Sequence, residues 1–215
     1  MTNKQSIKKE LNQKFEMVYD KNDVILFSSR LLYKKVKDPN EREKGILSNL
    51  YTSDFRIPYD DKLFHSSEQL LFYLQIKRWA KRVGYEDKEI QDRIEYLMNC
   101  KTGFEVKNTP RSMYFYESIA SRKKKLIGHD NAAIDAWKNQ YFILRLKYKY
   151  CKEFRDVLEK YKDKVWCEYS CKPTDTKSFA GVVWDEELQK YRGCNVVGRT
   201  MRRVYNERIN IMGEN

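Results

Sequence analysis

The run Ser66-Ser67-Glu68-Gln69-Leu70-Leu71 constrains the fold of this chain more than any other segment. Ser66 followed three residues later by Gln69 is a capping-box start for a helix. Leu70, Leu71, Leu74, Ile76 and Trp79 carry that helix to about Val83, where Gly84 stops it. The pattern places one carboxylate, Glu68, in the first turn of a mostly apolar helix. A carboxylate there can be both desolvated and oriented, which acid/base chemistry needs. A favourable charge at a helix N-terminus accounts for Glu68 equally well. Shortly upstream lies Leu47-Ser48-Asn49-Leu50-Tyr51. Its Asn49, beside Ser48, either hydrogen-bonds a ligand or makes a turn.

The other segments read as helices with a few short strands. Residues 1–22 are rich in Lys and Gln, with Ile7, Leu11, Phe15 and Val18 at helical spacing, and read as an N-terminal helix or arm. Val24-Ile25-Leu26-Phe27 reads as a buried strand, and residues 34–45 as a charged loop. Glu86 to Met98 is a second helix on its Ile90, Ile94 and Leu97 stripe. Residues 100–130 read as an irregular basic insertion containing Arg122-Lys123-Lys124-Lys125. Asn131 to Lys162 is helical with a break near Cys151, Val165 to Tyr169 is a strand, and Val196 to Ile211 is a closing helix. The expected class is α+β: a mostly helical single domain over residues 23–215 with a few short strands.

Composition narrows the function classes. The 215 residues are 41% hydrophobic and 34% charged, as in a soluble globular chain with a real core. No apolar run approaches the roughly 20 residues a membrane span needs, and the polar start lacks a signal segment, so a cytoplasmic protein is expected. Five scattered cysteines and two histidines argue for reduced, buried thiols and against a metal site. The net charge of +12 favours anionic partners, with the basic insertion as the place where nucleic acid could bind. The same charge also suits a solvated basic surface.

Further candidates lie towards the C-terminus. Glu168 shares one face of an apolar strand with Trp166, where a carboxylate is either paired or functional. Asp175 follows in a loop rich in Ser and Thr. Gly193-Cys194-Asn195-Val196-Val197-Gly198 is a glycine-bearing turn entering a helix, suited to phosphate or to an ordinary junction.

Taken in order, these segments resemble the NADAR, or YbiA-like, superfamily. Ser48-Asn49-Leu50 is similar to its S-N-F motif, and Ser66-Ser67-Glu68 to its S-E helix start. Leu144-Arg145-Leu146-Lys147-Tyr148 matches L-R-x-K-F, with Phe154-Arg155-Asp156-Val157-Leu158 and Glu168 following in register. Asn195-Val196-Val197-Gly198 matches N-x-L-G, and Asp175-Thr176-Lys177-Ser178-Phe179 is similar to D-x-x-W-G with its aromatic shifted by one. The resemblance implies a YbiA-like fold and an N-glycosidase that cleaves a ribose C1′–N bond without metal or cofactor. It implies ADP-ribosyl-guanine in DNA, or a phosphorylated ribosylaminopyrimidine of riboflavin synthesis, as substrate.

By that resemblance Glu68 is the acid/base, Ser48 and Asn49 orient the sugar, Glu168 and Asp175 contact hydroxyls or water, and Phe179 stacks on the base. Asn195 and Gly198 lie at the phosphate end. Members carry a lysine seven residues after the glutamate. That position is Gln75 here, about 340° round the helix and so on the face of Glu68. Lys77 stands about 180° away. An amide forms no Schiff base. Either Lys77 or Lys147 serves instead, or hydrolysis is direct, or the chain is a non-catalytic binder of ADP-ribose or a related nucleotide.

Overall fold

The computed structural model describes residues 17–32, 36–52, 54, 56–108, 110–169 and 180–213, with the backbone alone at residues 110–113. The described chain mixes helix and strand, as an α+β chain should. It divides into two compact units, one from Met1–Ser48 with Arg155–Glu207, the other from Asn49–Phe154 with Arg208–Asn215.

The second unit is helical and is built around α2. Helix α1 is the short Pro39–Lys44 of the first unit, and α2 is Ser67–Trp79. Then come α3 (Asp87–Asn99), α4 (Gly103–Asn108), α5 (Pro110–Ile127) and α6 (His129–Tyr150). These four pack around α2, and ten of its thirteen residues are buried. Leu70, Phe72, Leu74, Ile143 and Ile119 share this core. Each fully buried side chain of this kind contributes roughly 1.5–3 kcal/mol.

A hairpin precedes α2. Strands β3 (Ile57–Tyr59) and β4 (Lys62–Phe64) pair antiparallel, and the two turn residues Asp60 and Asp61 both adopt positive φ. That is the turn whose twist matches paired strands. The Tyr73 hydroxyl of α2 donates to the Asp60 carboxylate, and the Lys77 ammonium lies 3.3 Å from it, so the turn is anchored to α2.

The start of α2 follows the capping logic with one change. The Ser66 hydroxyl accepts from the Gln69 amide N–H (3.2 Å). The Gln69 side chain reaches back to the N–H of His65 (2.8 Å), not that of Ser66. Its Nε2 donates to the carbonyls of Leu97 (2.9 Å) and Cys100 (3.3 Å) at the end of α3. One buried amide therefore joins two helices and a loop.

The first unit holds the remaining strands. Strand β1 (Met17–Tyr19) pairs with β7 (Lys190–Gly193), which pairs with β6 (Val183–Asp185), all antiparallel. Separately, β2 (Val24–Phe27) pairs in parallel with β5 (Val165–Glu168). Helix α7 is Lys152–Lys160 and α8 is Val196–Asn206, while α9, Arg208–Gly213, belongs to the helical unit. Helix α8 packs on β5 so closely that a Cβ at Gly198 would come within 1.8 Å of the Trp166 carbonyl oxygen. Only glycine fits there.

Two expectations are corrected. Met17–Tyr19, placed in the N-terminal helix or arm, is strand β1, because it pairs with β7; residues 1–16 lie outside the described residues. Residues 100–130 are not irregular: they form α4 and α5. Phe115 and Ile119 point inward and Lys123 follows on the same side, so a lysine occupies the position that would have completed an apolar stripe. The break near Cys151 is present, with Cys151 in extended conformation between α6 and α7.

The Gln69 contacts predict a ranking of mutational costs. Ser66→Ala should cost about 0.5–2 kcal/mol, the scale of a lost helix cap. Gln69→Ala should cost more. It leaves the part-buried His65 N–H and the buried Cys100 carbonyl without the Gln69 amide, and takes one of two donors from the Leu97 carbonyl. Each group left unsatisfied costs about 1–3 kcal/mol. Chemical denaturation of both variants tests the order.

Candidate active site

The site is assembled in the helical unit from residues 49–50 and the starts of α2 and α4. The Glu68 backbone N–H donates to the Asn49 carbonyl (2.9 Å). The Gly103 N–H at the start of α4 donates to the Thr52 hydroxyl (3.1 Å), and a Cβ on Gly103 would come within 2.5 Å of the Leu50 carbonyl oxygen. The three segments are thereby held against one another. One turn into α4, Lys107 places its ammonium 3.9 Å from Glu68 Oε1.

Glu68 is 8% exposed. Among the described residues Lys107 is its one charged partner, and no hydrogen bond reaches its carboxylate. Burial raises the pKa of Glu68 above the ordinary glutamate value, and the Lys107 charge opposes that shift. Tyr116 of α5 forms one wall, stacked on Phe72 with ring centres 4.0 Å apart. Burial, and secondarily the Glu68 charge, push the Tyr116 hydroxyl upward. Such a carboxyl holds its proton to higher pH than an ordinary glutamate, which suits a general acid.

Asn49 makes a reciprocal side-chain pair with Gln140 of α6, at 3.1 and 3.4 Å. Gln75 is 4% exposed, and its Oε1 is buried without a partner among the described residues. It stands two turns along α2 from Glu68. Lys77 is exposed and held by Asp60. Lys147 lies elsewhere, in a narrow cavity with Tyr51, Ile57, His65, Ser66, Ser67 and Cys151, which Glu68 does not line. Its ammonium sits 4.6 Å from the Phe154 ring centre and 5.8 Å from that of Tyr51. Burial lowers its pKa to about 7. The Ser67 hydroxyl in the same cavity is buried without a partner among the described residues.

The other candidates belong to the first unit. Asn195 is fully buried and donates to the Trp166 carbonyl (2.9 Å) and to Cys167 Sγ (3.2 Å), and with Gly198 it fastens α8 to β5. Ser48 is buried and its N–H donates to the Gly45 carbonyl (2.9 Å). Glu168 is partly buried at the end of β5, and its carbonyl accepts from the Val182 N–H (2.8 Å). Asp175 and Phe179 lie outside the described residues.

Sequence reading missed Lys107, Tyr116 and Gln140. No local pattern marks them, because each is brought in by the packing of α4, α5 or α6. Among the described residues no cluster of three or more His, Cys, Asp or Glu could hold a metal ion, and no helix is long and apolar enough to cross a membrane. In comparisons with known proteins no family model matches the chain, and no curated protein or solved structure is significantly similar to it.

The position of Lys147 predicts a pH effect. Unfolded, the amine holds its proton to about pH 10.5; folded, it releases it near pH 7. The cost of the buried charge is therefore full below pH 7, and stability rises as pH climbs from about 7 towards 10. Lys147→Met should exceed wild type in stability by about 1–4 kcal/mol at pH 6, and the advantage should shrink by pH 9. Urea unfolding at the two pH values reads this out.

Proposed function

We propose that this chain is an N-glycosidase that hydrolyses the ribose C1′–N bond of a ribosylated or ADP-ribosylated base. The observation that carries the reading is Glu68, a buried carboxyl at a capped helix start with its pKa raised and one cation 3.9 Å away. In its protonated form Glu68 donates to the leaving base as the C1′–N bond breaks and the bonding electrons leave with the base. The resulting carboxylate then stabilises the oxocarbenium-like sugar and takes the proton of the attacking group. That group is water in direct hydrolysis.

Where a covalent route operates, Lys107 is the best-placed amine. Lys77 is tied to Asp60, and Lys147 lines a cavity that Glu68 does not share. In that route Lys107 gives a proton to the Glu68 carboxylate. Its amine attacks C1′ as Glu68 passes that proton to the leaving base. The C1′–O4′ bond then opens to a Schiff base, and water releases the sugar and restores the amine. The YbiA-like fold and the sugar-orienting role of Asn49 are part of the same proposal. The phosphate and base contacts of Asn195, Gly198, Glu168, Asp175 and Phe179 rest on the resemblance alone.

One observation favours the binder reading. Gln75 stands where the resemblance places the catalytic lysine, and its buried amide oxygen has no hydrogen-bond partner among the described residues. A nucleotide donor can satisfy that oxygen without any bond being broken.

Incubating the protein with ADP-ribosylated guanine DNA and with a phosphorylated ribosylaminopyrimidine, read by mass spectrometry, separates the readings. Release of free base is expected for the enzyme, and retention without cleavage for the binder. Glu68→Gln should keep the fold and lower turnover about 100-fold or more. Full turnover in that variant would remove Glu68 from the chemistry. Borohydride should trap an adduct on Lys107 if the covalent route operates, and nothing if hydrolysis is direct.

A further inference from the structure

We propose that the cavity between the start of α2 and Lys147 is a binding site for a single-atom anion, a halide such as chloride. The inference does not depend on the glycosidase reading, because Glu68 does not line this cavity.

The wall residues all belong to the helical unit. The Ser67 hydroxyl is the group that calls for a ligand. Ser67 is 1% exposed, lines the cavity, and its Oγ has no hydrogen-bond partner among the described residues. Leaving a buried hydroxyl unsatisfied costs about 1–3 kcal/mol, which a ligand accepting its hydrogen bond recovers. The Lys147 side chain, equally buried, lines the same cavity.

The walls are rich in donors. Ser66 Oγ accepts from the Gln69 N–H, so its own O–H can donate. Ser67 is the first residue of the thirteen-residue α2, which sets the positive end of the helix dipole at the cavity. Lys147 adds three N–H donors when charged. A water needs acceptors as well as donors around it, whereas an anion needs donors alone.

The surrounding charges allow an anion. The titratable groups facing Lys147 are Tyr51 and His65, ahead of α2, and Cys151, after α6. Glu153 adjoins two of them, accepting from Cys151 Sγ (3.4 Å) and from the Tyr51 hydroxyl, so its charge is already engaged. Burial holds the pKa of His65 below its ordinary value; Arg56 and Lys101 add to that shift and Glu105 opposes it. His65 is therefore mostly neutral at pH 7, and the two cations make its side of the cavity attractive to anions. Burial lowers the Lys147 pKa to about 7, with Cys151 opposing. An anion beside the amine favours its charged form, so ion and proton enter together as a neutral pair.

Size selects the ion. The cavity has room for about one water-sized particle. A halide is only slightly larger than water, whereas phosphate and sulfate are far larger.

Chloride NMR line broadening by the full chain tests the proposal, with bromide and sulfate as competitors. Lys147→Met, expected to fold at least as stably as wild type, reports the background from surface cations. Broadening in excess of that variant belongs to the cavity. The excess should be present at pH 6, yield to bromide and resist sulfate, and the affinity should fall about tenfold for each pH unit above 7. Ser67→Ala removes a hydroxyl with no protein partner to lose, and should weaken chloride binding about tenfold or more. In bromide-soaked crystals an anomalous peak should lie between Ser67 and Lys147. Equal broadening in wild type and Lys147→Met, displacement by sulfate, a silent Ser67→Ala, or a bromide-soaked crystal with water in the cavity would each overturn it.

Discussion

A helix enclosed on nearly every side has to carry its own polar groups into the core, and that constraint shapes the helical unit. Helix α2 brings Ser67, Glu68, Gln69 and Gln75 inside with its Leu and Phe side chains. Burying an unpaired polar group costs roughly 1–3 kcal/mol, and an unpaired charge far more. Gln69 is satisfied by bonding both chain segments it touches. Glu68 is not: it has a cation at 3.9 Å and the Tyr116 ring nearby, and burial raises its pKa. The Ser67 hydroxyl and the Gln75 oxygen stay unpartnered. These unsatisfied groups lie along the helix that also carries the proposed chemistry, as expected where a fold gives up stability for function.

The charge of the chain is sorted by the same packing. Two lysines are taken inside, with different outcomes. Lys123 meets Asp135 in an ion pair. Lys147 meets aromatic rings, and burial lowers its pKa to about 7. In the first unit, Asn195 and Gly198 serve the junction of α8 with β5, where backbone approach leaves no room for a side chain.

Much of this was legible in the sequence, for local reasons. The α2 start shows in Ser66 and Gln69, its end in Gly84, and the α6–α7 break in the change of pattern at Cys151. Strand β2 shows as four consecutive apolar residues. What was not legible depended on partners distant in sequence. Helix α5 was hidden because Lys123 stands where an apolar residue was looked for, and only Asp135, on another helix, makes that position buried. The β3–β4 turn was missed because two aspartates with positive φ lack the glycine that usually marks it. Glu68 could be named from its place in the helix, whereas Lys107 beside it could not, since the contact needs α4 docked against Leu50.

The central claim is that packing around α2 holds the Glu68 carboxyl at a pKa above the ordinary glutamate value. Titrating the glutamate side-chain carboxyl carbons by NMR, with Glu68→Gln to assign the resonance, measures this directly. The account predicts a Glu68 pKa clearly above the usual value of about 4.3 for glutamate, and a further rise in Lys107→Met as the opposing cation is removed. A Glu68 pKa at or below the usual value, unmoved by Lys107→Met, would contradict it.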